Sequence, residues 1–305
     1  MNRTTTAGAA LFVAAILGQA GSARAQDGFT FDFHGSLGEG PTKHQRYVPP
    51  LANPLFNETP YITTEIRPLF IHQRIPRAFL TRGGHVDIWA AEIRVALTER
   101  LGIIASKDGY ADIDFDQGLP DTSGFANISA GLKYALHSDA KDQSILSIGI
   151  EYEPPTGDIK TGGISLQGRG SGLLDLFVTG AKAWGKFGLQ GSLGVNLAMD
   201  SDHDSSMLHW SGHADYELFQ NFFPMFEING FTTIDHGRRT RGVNFEGVDL
   251  VNFGSTDSGT VVTLAGGFRY RFSPHIQMGA GYESTVTGRK DLLDDRIYVD
   301  LVISY

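Results

Sequence analysis

The sequence predicts an all-β fold: a single antiparallel β-barrel of about 12 strands, with 10 to 14 strands admissible, that crosses an outer membrane. Three observations carry this expectation. Period-two alternation of apolar residues recurs about a dozen times after Tyr61, whereas helical spacing is hard to find. The connections between these runs are alternately short and long. The last run ends on an aromatic residue at the chain terminus.

Composition narrows the function classes. The chain has 305 residues, no cysteine, 38 glycines, 41% hydrophobic residues and 19% charged ones. A disulfide scaffold, a thiolate metal site and a catalytic thiol are thereby excluded. A net charge of −9 with no basic cluster argues against binding nucleic acid through its phosphates.

Residues 1–25 read as a secretory signal peptide: Arg3, an uncharged run from Ala7 to Gly18, then Ser22-Ala23-Arg24-Ala25. Its removal takes Arg3 and Arg24 with it, leaving 23 basic against 34 acidic residues. Residues 26–60, with Pro41, Pro49, Pro50, Pro54 and Pro60, are expected to form an arm, or a plug inside the lumen. Residues 61–305 are assigned to the barrel.

Strands are expected near 61–72, 85–97, 101–110, 122–136, 145–153, 172–184, 187–199, 208–218, 222–235, 260–272, 275–285 and 295–305. The clearest run alternates Phe187, Leu189, Leu193, Val195 and Leu197 with Gln190, Ser192 and Asn196. Short turns at Thr98-Glu99-Arg100, Gly185-Lys186, Gln220-Asn221 and Ser273-Pro274 face longer connections such as 154–171 and 236–259. This is the asymmetry of periplasmic turns and external loops. Tyr134, Trp184, Phe187, Phe219, Phe222, Phe223, Phe272 and Tyr305 cluster by the short turns, as an interfacial girdle would. In the final strand, Val299, Leu301, Ile303 and Tyr305 resemble the C-terminal signal that the barrel-assembly machinery reads.

If these apolar residues meet lipid, the alternate ones line the lumen and the solute path. That set comprises Glu92, Arg94, Asn127, Lys133, Glu151 and Glu153 on the earlier strands, then Gln190 and Asn196. His209, His213, Asp215 and Glu217 follow, then Glu227, Asn229, Arg269, Arg271 and Asp300. A charge on the lipid face costs about 2–4 kcal/mol at mid-membrane, which constrains their shared face. Lys182 departs from this pattern, sharing parity with Leu176 and Trp184, and is expected to snorkel to the interface.

The segment Glu151-Tyr152-Glu153-Pro154-Pro155-Thr156-Gly157-Asp158, with Gly168-Arg169-Gly170-Ser171-Gly172 and the hairpin to Ala198, resembles the outer-membrane channel family associated with the meta pathway of phenol degradation. The likeness implies a barrel and, beyond it, passive uptake of small organic solutes, aromatic or hydrophobic ones among them. Its motifs are turn chemistry and name no catalytic residue.

The expected partners are outer-membrane lipid and lipopolysaccharide, the assembly machinery and a small-molecule solute, with no nucleic acid, in the outer membrane of a Gram-negative-type bacterium. No cofactor, metal or catalytic residue is assigned. Two other readings were weighed, a soluble exported β protein and a barrel lipid hydrolase using His209 and Ser211, which sit about 6.8 Å apart along a strand. His209 and His213, about 13 Å apart, are too distant to share one ion. Asp200, Asp202 and Asp204 begin like a calcium loop but meet Ser205 and Ser211 where Gly and Glu are required.

Overall fold

The computed structural model describes residues 44, 46–167, 170–240, 242, 244–255 and 259–305. The proposed signal peptide and residues 26–43 and 45 of the arm therefore lie outside the described residues. Twelve barrel strands follow: β1 (Glu65–Arg74), β2 (Gly84–Ala96), β3 (Leu101–Ala105 continued by Gly109–Phe115), β4 (Thr122–Phe125 continued by Ala130–Asp139), β5 (Ser144–Glu153) and β6 (Leu173–Trp184). The second half is β7 (Phe187–Ala198), β8 (Ser206–Tyr216), β9 (Phe222–Asp235), β10 (Thr260–Ser273), β11 (Ile276–Thr285) and β12 (Asp295–Ser304). Every neighbour is antiparallel, and β1 pairs with both β2 and β12, so the sheet closes without an edge.

Closure follows from the alternation. Along β12, Ile297, Val299 and Ile303 are exposed while Tyr298, Asp300 and Val302 are buried. The same split along β7 leaves Leu189, Leu193 and Val195 outward and Gln190, Ser192 and Asn196 inward. An apolar outside and a hydrogen-bonded inside suit a wall surrounded by hydrocarbon. Tight turns need residues that accept left-handed backbone, and Gly185 (φ 57°) and Asn221 (φ 67°) occupy them.

The structure corrects several boundaries. Residues 61–64 precede β1 and lie inside the barrel, so the wall starts at Glu65. β3 runs to Phe115, because Asp112 and Asp114 face outward and interrupt the apolar alternation that marks a strand. Just below Asp112, Phe70, Trp89, Tyr110 and Phe125 sit side by side in register as an aromatic row on the external side that the girdle reading did not include. Phe223 leaves the girdle: Phe222 and Phe223 point to opposite faces, and Phe223 is 1% exposed, inside, between the Arg46 and Arg271 guanidinium groups. Lys182 reaches the turn before β5, donating to the Asp142 carbonyl at 2.8 Å beside the Trp184 ring.

External connections fold over the mouth. Phe79, Val251, Phe253 and Leu292, from three loops, join one apolar cluster with Ile71 and Leu51. Asp291, at φ 49° in the loop after β11, is buried beside Arg289, and burial pushes its carboxyl up to about 6 against the pull of that guanidinium. As pH rises from 3.8 toward 6 the unfolded chain releases this proton more readily than the folded loop, so stability falls across that window. Asp291→Asn, which keeps the group neutral and suits the left-handed backbone, is expected to slow amide exchange at Lys290 to Leu293 at pH 7. It should also remove the pH dependence between 4 and 6.

Candidate lumen site

The inward face is occupied by the chain's own residues 46–64. This segment enters beside the turn after β6, where Arg46 donates to the Lys186 carbonyl at 2.8 Å and pairs with Asp215. It rises to a turn at Asn53, whose carbonyl accepts the Asn57 amide at 2.9 Å. It then descends to Thr64, whose carbonyl accepts the amide of the terminal Tyr305. Tyr47, Val48, Leu51, Ala52 and Asn53 are all 5% exposed or less.

Two groups of charges hold it. On the descending side, Glu58 receives Arg94 Nε at 2.9 Å and Lys133 Nζ at 2.6 Å, while Arg94 also meets Glu65 at 3.0 Å and Glu92 at 2.9 Å. Burial raises the Glu58 carboxyl pKa, but Arg94 and Lys133 together overcome it and hold the group down at about 2. Nearer the tip, Glu227 accepts the Leu51 amide at 2.8 Å, the Ala52 amide at 2.6 Å and His213 Nδ1 at 2.6 Å. Arg269 binds the Pro49 carbonyl at 3.1 Å and is clamped by Asp300, which also takes Arg67 Nε at 2.6 Å.

A third anchor is a row of small hydroxyls. Ser147, Thr179 and Ser192 are adjacent in register across β5, β6 and β7. They donate to the carbonyls of Pro60, Glu58 and Phe56 at 2.6, 2.7 and 3.0 Å. The three acceptors are two residues apart along the segment, and their donors stand one wall strand apart. These residues were not among the expected site residues. Their only signal was a small hydroxyl at the same level of three inward faces.

The remaining expected positions fall as follows. Gln190 Nε2 donates to the Val48 carbonyl, and Asn229 Nδ2 donates to Glu283 at 2.9 Å. Asn196 is buried at 6% exposure. Arg271 is only partly buried and donates to the Tyr47 carbonyl at 2.8 Å. Glu217 lies just past β8 at the rim, 3.5 Å from Arg46. His209 binds Asp175 at 2.7 Å and stacks on Phe56, while Ser211 accepts from Asn53 Nδ2 at 3.1 Å. The two residues weighed as a hydrolytic pair thus have separate partners. Asp202 pairs with Arg238 and Asp204 accepts the Gly170 amide, so these carboxylates diverge.

The inward face is not polar throughout, which corrects the expectation of a uniformly charged lining. In the external half of β1 to β3, Leu69, Ile71, Val86, Ile88, Ala111 and Ile113 point inward and are buried. Together with Pro54 and Leu55 they line a cavity of about 60 Å³. The same alternation that marks strands does not reveal this, because apolar residues then fall on both faces.

A closed 12-stranded barrel with an apolar outside and a hydrogen-bonded inside is the fold of an outer-membrane β-barrel. Among solved structures, an outer membrane channel from Pseudomonas putida F1 matches with a TM-score of 0.59 and 13% identity, over 85% of this chain and 100% of that one. The NanC porin matches at 0.46 and 9% identity over 79% of this chain and 99% of that one. The β domain of the Bordetella autotransporter BrkA matches at 0.46 and 11% identity, over 80% of this chain and 100% of that one. No family model and no curated protein matches the chain.

Proposed function

We infer that the protein is an outer-membrane channel for passive uptake of small organic solutes, aromatic or hydrophobic ones among them, with residues 46–64 as a displaceable plug. One observation carries this reading. Among the described residues, no backbone–backbone hydrogen bond joins residues 46–63 to the wall, so every tie runs through a side chain. The segment is therefore able to leave the lumen without breaking one ladder of the barrel. The apolar cavity above the plug supports an apolar solute, as does the resemblance to the phenol-pathway channels. Neither identifies phenol.

On this reading, residues 1–25 direct export and Val299, Leu301, Ile303 and Tyr305 engage the assembly machinery. The outer face meets lipid and lipopolysaccharide in a Gram-negative outer membrane. The charged side chains from Glu92 to Arg271 line the path once the plug is displaced, and the chain performs no chemistry on its solute.

The test is conductance of the purified protein in planar bilayers. Glu217 sits at the rim, partly exposed and opposite Arg46. Glu217→Lys replaces an attraction for cations with a positive pair and is expected to shift ion selectivity toward anions. Unchanged selectivity would remove Glu217 from the path, and absence of conductance in every variant would remove the channel.

A further inference from the structure

A cavity of about 550 Å³ lies at the end of the barrel that carries the short turns. Its lining includes Tyr47 and Thr63 of the inserted segment, Arg271 and Gln277 of β10 and β11, and Phe272 and His275 at the turn between them. One benzene ring is held by a cavity of roughly 150 Å³, so this one has room for a substituted ring.

Charge sets it apart from the rest of the lumen. Arg67, Arg94, Lys133, Arg269 and Arg296 face inward, and each pairs with a carboxylate. Arg271 also faces inward, yet among the described residues it pairs with none. Its guanidinium donates to the Tyr47 carbonyl at 2.8 Å and stands 5.0 Å from the Phe223 ring. No aspartate or glutamate lines the cavity, and Tyr305, which carries the terminal carboxylate, is 72% exposed to solvent. In a chain of net charge −9 the vestibule is thus a positive spot, and its protein walls strengthen the pull on an anion.

An acceptor stands beside that donor. Gln277 lies directly opposite Arg271 in register, where facing Cβ atoms are about 5 Å apart. Gln277 is 2% exposed, and its Nε2 donates to the same Tyr47 carbonyl at 3.3 Å. One backbone oxygen therefore orients both side chains and leaves the rest of the Arg271 fork and Gln277 Oε1 unused. Gln277 Oε1 and Thr63 Oγ1 are both buried without a hydrogen-bond partner. Buried polar atoms are paired as a rule, so these two mark a place where a ligand with its own donor completes the bonding. Tyr47, Phe272 and Pro274 add apolar surface for a ring.

We propose that this vestibule binds a small aromatic carboxylate that also bears a hydroxyl group. The Arg271 guanidinium takes the carboxylate, and Gln277 Oε1 accepts from the hydroxyl. A meta hydroxyl suits the pair, because it cannot bond its own carboxylate and lies at a spacing comparable to that of the two side chains. Binding here needs no open lumen and so stands apart from the channel reading.

The test is calorimetric titration of the full chain in detergent micelles, against a micelle blank, with 3-hydroxybenzoate, benzoate and phenol. Wild type is expected to bind 3-hydroxybenzoate about fivefold more tightly than benzoate, and phenol without saturation. Arg271→Gln should weaken 3-hydroxybenzoate by about tenfold or more, and Arg271→Lys, which keeps the charge and loses the fork, should fall between. Gln277→Leu should remove the preference for 3-hydroxybenzoate over benzoate. Arg100→Gln, at another short turn outside the cavity, should change neither affinity. Heat-modifiable gel mobility reports that each variant is a folded barrel. Absence of saturable 3-hydroxybenzoate binding to wild type, equal affinity for phenol, or an equal loss from Arg100→Gln would overturn the site. Each of those results would leave bilayer conductance, and with it the channel, untouched.

Discussion

Replacing Glu58 with alanine is expected to unseat residues 46–64 and raise single-channel conductance severalfold. Among the described residues, Glu58 is the one carboxylate that touches both Arg94 and Lys133. Among the described residues, Lys133 Nζ donates to Glu58 and to the Thr59 carbonyl alone, both on the inserted segment. Truncating one partner of a buried pair costs about 3–5 kcal/mol, because the other charge stays desolvated. Here the system has an escape: once the segment leaves, water enters and resolvates Lys133 and Arg94. The penalty therefore falls on docking and spares the wall ladders.

A second replacement separates docking from folding. Lys133→Met added to Glu58→Ala removes the orphaned ammonium and is expected to recover part of the closed population, while heat-modifiable gel mobility stays that of a folded barrel in both variants. The pH dependence has a defined sign. The Glu58 pKa is depressed from 4.5 to about 2, so its contribution to docking is complete above 4.5 and is lost only as pH falls toward 2. Wild-type conductance should thus stay low at pH 4 and rise only in strong acid. Opening already complete at pH 5 would mean that Glu58 is not the anchor.

The contrast between wall and plug shows which physics a sequence displays. A strand in a barrel writes its burial at every second residue, so Phe187 to Ala198 was legible from its own alternation. The same rule fails where both faces change character: Asp112 and Asp114 face outward above the aromatic row, and Ile71 and Ile88 face inward around a cavity. The inserted segment has no period of its own. Its prolines argue against helix and ladder, yet its burial depends on Ser147, Thr179, Ser192, Glu227 and Arg269, scattered over five strands. Nothing local in residues 46–60 records those partners. For the charged positions parity placed side chains on a face, but pairing between strands distant in sequence decided what each one holds.

Reversing the medium that one outward side chain meets gives the second large effect. Leu193 lies near the middle of β7, between Val178 and Trp210 in register, on the outward face. Leu193→Arg is expected to destabilise the barrel by about 2–4 kcal/mol, read from urea-driven unfolding in lipid vesicles. Leu189→Arg is the internal control. It lies four residues nearer the short turn, directly beside Lys182, which already carries a charge on that face and reaches the Asp142 carbonyl at the turn. An arginine there can extend to the same interface, so its cost should fall to about 0–1 kcal/mol. This gradient with depth distinguishes a bilayer from a protein core, since a buried core position has no reason to become cheaper toward one rim. Equal costs at both positions, or none at either, would place Leu193 in some medium other than hydrocarbon, and the channel reading would fall with it.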